Sequence, residues 1–156
     1  GDHDWKPTPT GKIIVDFLRG KLPAFVDTGL NLVDAHDIAL GHLQAAEKGR
    51  TGERYILGSQ NLTLEQILAI IADISGKPQV RTKLPYAVAY AAGLAATAWA
   101  NVSGRPPAVP LEGVRMARKR MFVSHARAAR ELGFSPGPPE QALRKAVDWF
   151  QTNGYC

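Results

Sequence analysis

Cysteine is almost absent from this chain. Cys156, the last of 156 residues, is the only one. An internal disulfide is excluded, and one thiol gives no zinc-binding spacing. A reducing, cytoplasmic setting is the matching expectation. A charged-then-apolar leader is also missing. The opening Gly1-Asp2-His3-Asp4-Trp5-Lys6 has no initiator Met and reads as the start of a piece cut from something longer. No internal repeat and no low-complexity tract occurs. Neither G-x-G-x-x-G nor G-x-x-G-x-x-G is present. A dinucleotide site needs such a turn, so that backbone can approach the pyrophosphate. No cofactor-binding residue is therefore expected on this chain. Acidic residues are fewer than basic ones, 14 against 19, for a net charge of +5. The bias suits an anionic ligand. The cations are mostly scattered, so nucleic acid is not expected as a partner.

What is present is ordinary for a globular domain. The hydrophobic fraction is 45% and the charged fraction 21%, and 156 residues suffice for one core. Thr10 is positioned to cap a helix opening at Gly11-Lys12, with Ile13, Ile14, Phe17 and Leu18 at helical spacing and Gly20 after it. Short strands are expected at 24–28 and 31–34, joined by a turn at Thr28-Gly29. Asp34 or Asp37 caps the next helix, whose apolar face reads Ile38, Leu40, Leu43 and Ala46 and which stops near Gly49. A strand is expected at 54–57. Thr63 begins a helix carrying Ile67, Leu68, Ile70, Ile71 and Ile74, ended by Gly76. An extended segment is expected at 79–83. A long alanine-rich helix runs from Pro85 to about Val102, and Ser103-Gly104-Arg105-Pro106-Pro107 breaks it. A helix at 111–119, a strand at 121–123, a helix at 126–132 capped by Ser124, and a final helix at 140–152 complete the order.

Strands alternating with helices make the class α/β. The strands are few, so their sheet partners are expected in sequence outside this chain.

Candidate chemistry is sparse. Asp2-His3-Asp4 offers metal-ligand types, but three consecutive residues converge poorly on one ion, and no metal is expected. Ser124 and His125 are adjacent and diverge, so no catalytic pair is expected there. Arg115-Met116-Ala117-Arg118-Lys119-Arg120 is the sharpest charge cluster. On a helix, Arg115, Arg118 and Lys119 share a face. Two readings stand: a solvated face balanced by Glu112 and Glu131, or an anion site for a phosphate or diphosphate. Residues 86–102 carry no charge. That helix can be packed, can face a partner or a membrane surface, or can approach the lower limit of a membrane span.

The order of motifs carries a resemblance. Val33-Asp34-Ala35-His36-Asp37-Ile38-Ala39 leads a helix. Tyr55-Ile56-Leu57-Gly58 and Asn61-Leu62-Thr63-Leu64 follow, then the arginine cluster, then Ser124 through Glu131-Leu132-Gly133-Phe134, and a terminal Trp149-Phe150 helix. This series resembles the C-terminal half of extended short-chain dehydrogenase/reductases, the NAD-dependent epimerase/dehydratase family. Lys6-Pro7-Thr8-Pro9-Thr10-Gly11 and Val114 to Lys119 are most similar to the hopanoid-associated sugar epimerase subgroup, related to dihydroflavonol-reductase-like enzymes.

The resemblance implies that residues 1–156 are the substrate-binding, helix-rich part of a Rossmann-type enzyme whose dinucleotide-binding part lies outside the chain. It implies NAD or NADP in the parent enzyme, a nucleotide-sugar or related substrate, and a homodimeric parent. It implies an epimerase, dehydratase or reductase. Reductases of this group use a Tyr with a Lys four residues later. Tyr55, Tyr86 and Tyr90 are followed at that distance by Ser59, Tyr90 and Leu94, so no catalytic residue is expected here. It also implies that an Arg of the cluster meets the substrate diphosphate, which favours Arg115, Arg118 and Lys119 as anion contacts. Thr28 and Asn31, flanking the expected hairpin, become pocket-rim candidates. Arg127 stands where the family pattern has Lys, and family members often carry Arg near Asn31. The rival class is a non-enzymatic binding or assembly module that uses helix 86–102.

Overall fold

A computed structural model of the chain describes residues 3–104 and 111–156. The order is α1 (Pro9–Leu18), β1 (Phe25–Val26), β2 (Gly29–Leu32), α2 (Ala35–Lys48), β3 (Gln60–Thr63), α3 (Leu64–Ser75), β4 (Lys83–Leu84), α4 (Tyr86–Ser103), α5 (Leu111–Ala117), α6 (Ala126–Leu132) and α7 (Pro139–Thr152). Asp2 and Arg105-Pro106-Pro107, to which expectations were attached, lie outside the described residues.

The core forms where α1, α3 and α7 meet. Ile14, Phe17 and Leu18 of α1 pack with Ile67, Leu68 and Ile71 of α3 and with Leu143, Val147 and Phe150 of α7. Each set falls at helical spacing, so one stripe per helix is removed from water. The expected stripe of α3 is confirmed, with Ile70 and Ile74 partly buried at its edge. The helix starts where it does because of a capping box. The Thr63 hydroxyl accepts from the Gln66 amide at 3.2 Å, and the Gln66 side chain accepts from the Thr63 amide at 2.8 Å. Four donors lack intrahelical partners at a helix start, and this box satisfies two donors around it reciprocally.

Two small sheets replace the expected hairpin. β1 pairs in parallel with β4, and β2 pairs antiparallel with β3. The strands on either side of Thr28-Gly29 therefore belong to different sheets. Glycine is required at position 29 for another reason: a Cβ there would stand 2.5 Å from the Phe122 ring and 2.9 Å from the Leu62 carbonyl oxygen. The expected strand at 54–57 takes part in no pairing, and the strand forms at Gln60–Thr63 instead. A strand is defined by a neighbour, and 54–57 has none among the described residues. The expected strand at 121–123 is reduced to one parallel bridge, Leu30 with Met121.

One helix start also moves, and another is resolved. Pro9 occupies the first turn of α1, so Thr8 rather than Thr10 is the cap, accepting from the Gly11 amide at 3.2 Å. Of the two candidate caps for α2, Asp34 holds the position and accepts from the His36 amide at 3.0 Å.

The apolar face expected for α2 is the wrong one. Its buried residue is Gly41, where an added Cβ would lie 2.8 Å from Leu57 and 2.9 Å from Phe134. This close approach seats α2 on a second small core of Ala128, Leu132 and Phe134. Leu40 and Leu43 point away from it and are 45% and 62% exposed, as is Ile56 at 50%. Helical spacing identified an apolar face, but Leu40 and Leu43 on that face are left uncovered among the described residues.

Among the described residues no helix is long and apolar enough to cross a membrane.

Candidate functional site

A cleft of about 440 Å3 opens beside α1, β2 and α7. Its polar edge comes from Asp4, Thr10 and Asn31, and its apolar wall from Leu30, Met121 and Phe150. Asp4 is fixed by local bonds. Its carboxylate accepts from the Thr8 amide at 3.1 and 3.0 Å and from the Thr8 hydroxyl at 3.0 Å.

Asn31 lines the cleft but spends its amide on structure. Its Oδ1 accepts from the Ser59 amide at 2.9 Å, and its Nδ2 donates to Asn61 Oδ1 at 2.8 Å. Asn61 in turn exchanges both bonds with Val123: Nδ2 donates to the carbonyl at 3.0 Å, and Oδ1 accepts from the amide at 3.1 Å. The Asn61 side chain thus acts as a peptide group and holds 121–123 against the β2–β3 pair. Asn61 was not anticipated as a site residue. Its amide sits in the quoted Asn61-Leu62-Thr63 motif, but sequence spacing says nothing of a partner 62 positions away. Thr28 is buried and is not among the residues lining the cleft.

Of the cluster's cations only Arg115 lies on α5. α5 ends at Ala117, and the next bonds run from Arg118 N to Arg115 O at 3.3 Å and from Lys119 N to Met116 O at 3.1 Å. These i to i+3 bonds tighten the chain into a 3₁₀-type turn, in which side chains three apart, such as those of Arg115 and Arg118, eclipse. Arg115 is held by Glu112 at 2.7 Å. Bonds to Tyr90 and to Glu112 both raise its pKa. Arg120 approaches Asp27 at 3.3 Å. Arg118 and Lys119 are exposed and have no carboxylate within salt-bridge distance among the described residues.

Glu131 does not balance that cluster. It accepts from Arg50 at 2.8 Å, Tyr55 at 3.0 Å, Arg130 at 3.2 Å and Arg127 at 3.3 Å. Arg127 also pairs with Glu53 at 2.6 Å and lies over the Tyr55 ring at 5.4 Å. The hydrogen bond from Arg50, with those from Tyr55 and Arg130, outweighs burial and lowers the Glu131 pKa from 4.5 to about 2. A depressed folded-state value means stability that is present above the ordinary carboxylate range and lost as pH falls toward about 2. Acid unfolding followed by circular dichroism should therefore show Glu131→Gln losing stability near neutral pH and showing a weaker pH dependence between about 4.5 and 2. An unchanged acid profile would contradict this role.

The strand-to-helix turns that open α2 and α3 carry carboxylates. The N-terminus of α2 is filled by the Asp34 carboxylate, with Asp37 in its first turn. Burial works to raise the Asp34 pKa, but bonds from Lys145 at 2.7 Å and from the His36 amide hold it below the usual value. The N-terminus of α3 is closed by its capping box, with Glu65 in the first turn. Negative charge at both helix starts opposes a pyrophosphate.

The architecture is helix-rich α/β and matches the C-terminal part of Rossmann-type epimerase and reductase structures. No protein-family model matches the chain. A Synechocystis sp. protein provisionally named dihydroflavonol 4-reductase is 43% identical over 99% of this chain and 46% of its own length. The crystal structure of gox2253 is 39% identical with a TM-score of 0.80, covering 99% of this chain and 47% of that one. The crystal structure of PA4631, a nucleoside-diphosphate-sugar epimerase from Pseudomonas aeruginosa, is 33% identical with a TM-score of 0.78, covering 99% and 46%. Fold neighbours below 25% identity include structures solved with NADPH and with NAD. Along nearly all of its length the chain is thus similar to part of NAD-dependent epimerase/dehydratase-family enzymes and related reductases. It spans about half the length of the curated relatives it matches.

Proposed function

We propose that this chain is the substrate-recognition part of an NAD(P)-dependent enzyme that epimerises, dehydrates or reduces a nucleotide-sugar or a related alcohol or ketone. The observation that carries it is the match along 99% of the chain to an epimerase at 33% identity and a TM-score of 0.78. The dinucleotide, NAD or NADP, is held by a part of the enzyme that this chain does not span. That cofactor supplies the hydride chemistry. This chain's residues bind and orient the substrate.

Arg118 and Lys119 are the leading anion contacts, because their charges are exposed and uncommitted. Arg115, braced by Glu112, supports them. Asn31 shapes the cleft wall through its bonds to Ser59 and Asn61. Thr28 sits behind that wall, with its carbonyl accepting from the Leu64 amide at 2.9 Å. The hopanoid-associated subgroup fits this reading. The exposed Leu40, Leu43 and Ile56 then form the face that meets the cofactor-binding part, and the enzyme is a cytoplasmic homodimer. The test is turnover by the full-length protein. NAD(P)-dependent conversion of a nucleotide sugar, with little conversion of the free sugar, is expected. A full-length protein that binds NAD(P) yet converts free sugars as well as nucleotide sugars would overturn the diphosphate-recognition reading.

A further inference from the structure

Residues 121–123 are held at their two ends by different means. At the first end the hold is backbone. The Met121 amide donates to the Gly29 carbonyl at 2.8 Å, and the Asn31 amide donates to the Met121 carbonyl at 3.1 Å. At the second end, among the described residues, both backbone groups of Val123 are taken by the Asn61 side chain, at 3.0 and 3.1 Å. A side-chain amide carries donor and acceptor together, so it can copy the pair of bonds that a neighbouring strand would make. Asn61 is itself oriented. Asn31 Nδ2 donates to the same Oδ1 at 2.8 Å, and Asn31 is fixed by the Ser59 amide at 2.9 Å. Gly58 leaves room for this relay: a Cβ there would stand 2.5 Å from Asn31 Oδ1 and 3.2 Å from Cγ2 of Val123.

The placement of this segment matters for what it carries. Met121 and Val123 both line the cleft. Arg118 and Lys119 precede it, with only Arg120 between. Arg120 reaches Asp27 at 3.3 Å and lies 6.0 Å from the centre of the Phe122 ring. The cation-bearing turn is therefore tied to α5 on one side and to 121–123 on the other. Asn61 is exposed and belongs to neither hydrophobic core. It is not among the residues lining the cleft. Its replacement leaves the cores whole and frees one end of the segment.

We infer that Asn61 is a positioning residue for substrate, whose amide fixes where Arg118 and Lys119 stand relative to the cleft. The inference rests on the reading of those two cations as diphosphate contacts. Asn61 touches no substrate and acts through Val123. Charge-assisted hydrogen bonds depend on distance and angle, so a turn that wanders loses affinity while keeping its charge.

The test uses the full-length protein, hydrogen exchange read by mass spectrometry, and uridine diphosphate as the probe. Asn61→Leu keeps the size of the side chain and removes its bonding groups. Asn61→Ala removes both. Each variant should speed exchange about tenfold in a peptide spanning 120–124 and leave peptides from α1 and α7 unchanged. Each should weaken uridine diphosphate binding, measured by calorimetry, about tenfold. NADH binding should stay the same, which a general loss of structure would not allow. Unchanged exchange at 120–124 would deny the hold and overturn the inference. Faster exchange throughout the chain would make Asn61 a general support and overturn it as well. Uridine diphosphate affinities equal to that of a wild type that does bind would overturn the inference and spare the diphosphate reading. A wild type that binds no uridine diphosphate would sink that reading, and the inference with it.

Discussion

Phe150→Ala should lower the unfolding free energy by about 3–5 kcal/mol in urea titrations of the chain. Phe150 is 1% exposed and sits where α7 meets α1 and α3. Its ring lies 5.2 Å from Trp149 and 5.4 Å from Tyr155, and Trp149 lies 5.2 Å from Trp5. The Tyr155 hydroxyl donates to the Trp5 carbonyl at 2.6 Å. Truncation therefore removes a core side chain, opens the wall of the cleft and loosens the contact between the two ends of the chain. The transfer and cavity costs add, because neighbours relax only in part. Phe150→Leu keeps most of the volume and should cost less than about 1.5 kcal/mol. A loss below about 1 kcal/mol for the alanine variant would mean that the aromatic cluster is not the keystone described.

Arg118→Ala should raise KM for a nucleotide-sugar substrate roughly tenfold or more in the full-length enzyme, with a smaller effect on kcat. Charge-assisted hydrogen bonds to phosphate contribute about 1.5–3 kcal/mol each. A surface cation without such a ligand is worth under about 1 kcal/mol. Arg118 is exposed and has no salt-bridge partner among the described residues, so its removal leaves no buried carboxylate behind. Arg115→Ala is a poorer probe, since it also frees Glu112 and Tyr90. Equal KM values for wild type and Arg118→Ala on a confirmed nucleotide-sugar substrate would remove the anion-site assignment and leave the family resemblance untouched.

The helices were legible because each of α1, α3 and α7 declares a face at 3.6-residue spacing and a start in Thr, Pro or both. Asp34 was legible as a cap for the same local reason. The sheet pairings were not. β1 finds β4, and β2 finds β3, across dozens of residues, and no local pattern encodes such a choice. Segment 54–57 has the apolar character of a strand, but a ladder needs a neighbour, and none of the described residues pairs with it. The α2 face failed for a related reason. Periodicity reports which residues seek cover, and Leu40 and Leu43 seek it outside the described residues. The end of α5 at Ala117 was not legible, because the helix gives way to a 3₁₀-type turn inside an unbroken run of good helix formers. Asn61 could be read only from the folded chain, where its amide completes a pairing with Val123.

In the proposed division of labour, recognition falls to this chain and the dinucleotide is held elsewhere. Fluorescence titration with NADH, run in parallel on the 156-residue chain and on the full-length protein, tests it most directly. The expected result is saturable micromolar binding by the full-length protein and none by the chain, whose α2 and α3 starts carry Asp34, Asp37 and Glu65 where a pyrophosphate would need bare amides. Saturable micromolar binding of NADH by the 156-residue chain would contradict the account.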